Sequence, residues 1–122
     1  MVHVTPERFE ELVADALDTI PPELGRAIEN DAVVIADWPT DAQLGGRSGT
    51  LLGLYEGVPL TQRDSIAYAG VLPDRITIFR GPISARAADA RELADVVRTT
   101  VLHEVGHYFG LSDTRLRELG WA

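Results

Sequence analysis

Apolar residues in the first twenty positions recur at helical spacing: Phe9, Leu12, Val13, Ala16, Leu17 and Ile20 form one stripe. Thr5 is placed to cap that helix, Pro6 suits its first position, and Pro21-Pro22 stop it. Glu23 to Asn30 reads as a short second helix, weakened by Gly25. The period then changes. Ala32 to Trp38 (AVVIADW) is a β-branched run bounded by Asn30-Asp31 and Pro39, hence a strand. Leu51 to Glu56 (LLGLYE) and Arg75 to Arg80 (RITIFR) read as a second and a third. In the third, Ile76 and Ile78 alternate with polar residues, as in a sheet with one wet face. Gln43 to Gly49 is a glycine-rich loop, and Ser65 to Tyr68 leave room for one more short strand.

The longest element follows. Asp89 with Glu92 has the form of a capping box, and the helix runs through Leu93, Val97, Val101 and Val105 to Phe109. Gly110 then supplies a left-handed residue at its end, and a last short helix, Thr114 to Leu119, closes at Gly120. The order is helix, short helix, strands, long helix, short helix. That is an α+β chain, and 122 residues fit one domain, 1–122, and hardly two.

Composition removes several function classes. With 19 acidic and 11 basic residues the net charge is -8, which argues against a nucleic-acid binder. No stretch approaches the roughly 20 apolar residues of a membrane span. MVHVTPERFEELV lacks the basic and apolar regions of a secretory signal, so a cytoplasmic protein is expected. The chain has no cysteine, so disulfide scaffolds and cysteine-based metal or nucleophile sites are excluded. All the basic residues are Arg, so Schiff-base chemistry and a phosphate-loop lysine are excluded too.

The chemistry lies near the end of the long helix, in His103-Glu104-Val105-Gly106-His107. At about 100° per residue, the two imidazoles lie one turn apart on one face with Glu104 beside them, opposite Val101, Leu102, Val105 and Phe109. Both His can then reach one metal ion. Gly110 and Asp113 extend the pattern to HExxHxxGxxD. A glycine there turns the chain back, so a side chain three residues on can supply a third ligand. Asp113 has a second use, as the cap of the Thr114 to Leu119 helix, and one Asp does not easily do both. Three N/O ligands leave a fourth position for water, as in a catalytic zinc site, and Glu104 is placed to take that water's proton.

This pattern resembles that of the zincin metallopeptidases, in the variant where Asp replaces the third His of the metzincins. HEVGHYFGLSD together with GLYEGVPL (Gly53 to Leu60) and LPDRITIFRGPI (Leu72 to Ile83) is similar to the small single-domain bacterial zincin-like proteins, over roughly Ala32 to Asp113. The resemblance implies one Zn²⁺ held by His103, His107 and Asp113, with Glu104 as general base. It implies a small mixed β-sheet packed on an N-terminal helix and a long active-site helix. The strand Leu51 to Leu60 would pair with an extended peptide or unfolded protein substrate.

Two features depart from the pattern. The only methionine is Met1, so the metzincin methionine turn is missing, and few residues follow Asp113 to build a lower cleft wall. No residue stands out as oxyanion stabiliser among Tyr55, Tyr68, Tyr108 and Arg115, and His3 is expected to be a terminal residue without a role. The leading expectation is a zinc-dependent peptide hydrolase that cleaves folded proteins poorly, unless a partner or second subunit completes the cleft. The alternatives are a non-catalytic interaction module of the same fold and a metal-dependent hydrolase of a small amide.

Overall fold

The computed structural model describes residues 2–22, 28, 32–57 and 74–121. The first helix, α1 (Pro6–Asp18), starts where Thr5 Oγ1 accepts the Arg8 backbone N–H at 3.1 Å, and it buries Phe9, Leu12, Val13 and Ala16. Next come β1 (Val33–Ala36), a single helical turn α2 (Asp41–Leu44), β2 (Gly53–Glu56) and β3 (Arg75–Phe79). Three helices follow: α3 (Arg80–Arg86), α4 (Ala90–Tyr108) and α5 (Asp113–Leu119). The helix expected over Glu23 to Asn30 and the strand expected at Ser65 to Tyr68 lie outside the described residues. No described helix is long and apolar enough to cross a membrane.

The strands form a mixed sheet in the order β1-β3-β2, with β1 parallel and β2 antiparallel to β3. Gly53 pairs with Ile78 and Tyr55 with Ile76, and the Phe79 N–H extends the ladder to Leu52 O at 2.9 Å. β3 is the central strand, which overturns the expected wet face. Only Arg75 of the five is exposed, and Thr77 is buried with no hydrogen-bond partner for its hydroxyl among the described residues.

α4 packs against α1, α3, β2 and β3. Its stripe Leu93, Val97, Val101 and Val105 is fully buried, and each such side chain contributes about 1.5–3 kcal/mol of hydrophobic stabilisation. Asp89 caps the helix by accepting the Glu92 N–H at 2.8 Å. Glu92 reaches back to accept the Ala88 N–H at 3.2 Å, one residue beyond the Asp89 N–H that the reciprocal box would use.

Two other local readings are corrected. Arg80 opens α3 instead of ending a strand; Phe79 gives that helix no side-chain cap, and Pro82 sits in its first turn, where a missing N–H costs nothing. Part of the glycine-rich loop is α2, set by a reciprocal Thr40–Gln43 capping box.

Candidate metal centre

Helical spacing brings His103 and His107 together on the last two turns of α4. Their ring centroids are 4.4 Å apart at an interplanar angle of 70°. One ligand-capable atom from each of His103, Glu104 and His107 lies within 4.8 Å of the others. Glu104 is buried, while both histidines are partly open. Its Oε1 lies 3.1 Å from His107 Nδ1. With the proton on Nδ1, that contact is a hydrogen bond to a carboxylate, which fixes the ring and leaves Nε2 free to bind a metal. Among the described residues, His107 Nε2 and both ring nitrogens of His103 have no protein hydrogen bond.

Two close approaches shape the wall. A Cβ on Gly53 would stand 2.8 Å from Thr100 Cγ2 and 3.0 Å from Glu104 Cγ, so only glycine lets β2 lie this close to α4. On the far side of the motif, a Cβ on Gly106 would collide with the fully buried Leu116, so α5 seats directly against the motif helix. The connection between α4 and α5 is tight. The Gly110 N–H bonds His107 O and the Leu111 N–H bonds Gly106 O, both at 2.9 Å, with Gly110 at φ 74°. This is the left-handed helix termination foreseen for Gly110.

Asp113 is the first residue of α5 and is exposed. Its carboxylate is outside the cluster formed by His103, Glu104 and His107. Nor does it cap the helix: Ser112 does, accepting the Arg115 N–H at 3.1 Å. The capping role considered for Asp113 therefore falls to its neighbour, and the Asp113 carboxylate makes no hydrogen bond or ion pair among the described residues.

The oxyanion candidates are accounted for elsewhere. The Tyr55 hydroxyl donates to Asp74 at 3.0 Å, and Tyr108 is buried edge-on against Tyr55 and Phe109. Arg115 is exposed and paired with Glu118, and Tyr68 is outside the described residues. His3 lines a separate cleft with Trp38 and Arg80.

Beside His103 and Glu104 opens a cleft of about 410 Å³ walled by Leu52, Gly53, Val96 and Thr100, with Arg86 and Asp95 at its rim. Asp95 and Thr99 lie on the His103 stripe at two turns and one turn before it, a signal the helical period carries. The chain matches the family model for zincin-like metallopeptidases over residues 28–121. It belongs to the zincin-like metallopeptidase family. Among proteins of curated function, none matches the chain. Family membership and the small mixed sheet packed on α4, with α1 on the same helix, agree with the α+β zincin-like fold the sequence implies. The donor chemistry also suits the zinc of zincin-like proteins: two imidazoles with unclaimed nitrogens beside a carboxylate.

Proposed function

We propose that the protein hydrolyses peptide bonds with one zinc ion, held by His103, His107 and Asp113, and with Glu104 as general base. The carrying observation is the clustering of His103, Glu104 and His107 within 4.8 Å of one another, with His103 and Glu104 lining a cleft. Asp113 enters because it is uncommitted and follows directly on the turn that ends α4. A bound zinc ion supplies Lewis acidity, which activates water and polarises a carbonyl.

The chain's own residues supply the rest. The contact with His107 Nδ1 and the burial under β2 hold the Glu104 carboxylate in one place. From there it accepts a proton from the attacking water and returns it to the leaving amine. The open side of the cleft at Leu52 and Gly53 admits an extended peptide or unfolded segment alongside β2.

The test combines metal analysis with one substitution. The purified chain is expected to hold one zinc, and Glu104→Gln to keep it while losing about 10²–10⁴-fold in peptide hydrolysis. Undiminished hydrolysis in Glu104→Gln would rule out this mechanism.

A further inference from the structure

The cleft beside His103 carries charges that the proton-transfer scheme does not use. Arg86 ends α3 and reaches the rim from one side, and Asp95 reaches it from α4. Among the described residues neither side chain has a hydrogen bond or an ion pair, so the two opposite charges share a cleft without neutralising each other. Three other arginines are paired, Arg8 with Glu11, Arg80 with Asp37 and Arg115 with Glu118, and none of these lines this cleft. Ala87, only 1% exposed, anchors the backbone directly after Arg86 at the end of α3.

We infer that this end of the cleft is a carboxylate subsite, in which Arg86 selects substrates carrying a single negative charge close to the bond at His103 and Glu104. A guanidinium presents paired N–H donors that match a carboxylate, and the apolar Leu52 and Val96 line the same cleft. Asp95 narrows the choice. Its charge opposes a dianion such as a phosphate more strongly than a singly charged carboxylate, and its distance from Arg86 keeps the guanidinium available. In a peptide the group is either the chain's terminal carboxylate or an Asp or Glu side chain. The inference rests on the peptidase reading for its substrate class, and it makes Arg86 a specificity residue, not a catalytic one.

The test measures binding to the full chain with a chelator present, so that a carboxylate bound to zinc cannot imitate the effect. Three N-acetylated peptides of one apolar sequence are titrated by NMR: one with a free C-terminus, one amidated, and one amidated with an internal Glu. The free acid or the Glu peptide should bind about tenfold more tightly than the neutral amide. Arg86→Gln should abolish that ratio and Asp95→Asn should raise it, while Arg80→Gln, in the other cleft, leaves it unchanged. Equal affinities, no binding of any peptide at millimolar concentration, or a ratio that survives Arg86→Gln would overturn the inference. Hydrolysis by the zinc-loaded chain is scored separately. Selective binding without hydrolysis would sink the peptidase reading and leave the subsite standing, and the opposite pattern would do the reverse.

Discussion

Two clefts of similar size, one of about 410 Å³ beside His103 and one of about 440 Å³ beside Trp38, are built on opposite principles. In the second, the Arg80 guanidinium is already paired with Asp37, and the half-exposed Trp38 lines the cleft. In the first, the side chains of Arg86, Asp95 and His103 make no hydrogen bond among the described residues, and the buried Glu104 carboxylate lines the same cleft. Volume does not distinguish the two. Uncommitted polar groups do, because a ligand binds most strongly where donors and charges lack internal partners.

The sharpest way to break that comparison is to remove one histidine from each cleft. His103→Ala should eliminate stoichiometric zinc and all hydrolysis, whereas His3→Ala should leave both unchanged. Metal analysis and a peptide assay check the pair, and equal effects would dissolve the distinction. A smaller effect is expected from Gly53→Ala, whose new methyl would meet Thr100 and Glu104. Overpacking of this kind costs about 1–3 kcal/mol, measured by denaturant unfolding. Adding Thr100→Ala removes the nearer of the two contacts and should recover part of the loss. The smallest effect belongs to the second cleft. Asp37→Asn breaks an exposed ion pair and should change stability by less than about 1 kcal/mol, without altering hydrolysis.

Legibility in the sequence followed the strength of the local signal. α1 and α4 could be read because long apolar stripes and side-chain caps at Thr5 and Asp89 agree. The three strands emerged from short β-branched runs, but only the sheet order shows that β3 is central and dry. α3 was not legible: its cap is Phe79, and Gly81-Pro82 look like a break when Pro82 in fact occupies the first turn. Missing α3 meant missing Arg86, since nothing else brings it to the cleft. α2 was overlooked despite the Thr40–Gln43 box, because the glycines after it dominate the pattern. At the site, the spacing of His103, Glu104 and His107 on one helix gave their proximity directly. The placement of Asp113 depends on how a turn and a second helix dock, which periodicity does not encode.

The end of α4 has one more consequence. His107 lies a single residue from the last helical position, in the turn where helices usually fray. Here that turn is tied by the Gly110 and Leu111 backbone bonds, and Leu116 from α5 is wedged against Gly106. Unwinding it would expose Leu116 and Phe109 to water, so the turn opens with the cooperative unit of the core and not on its own. Amide exchange at His107 should therefore be as slow as in the middle of the helix. The spacing between the two imidazoles is thus held by the whole fold, and local breathing does not reach it.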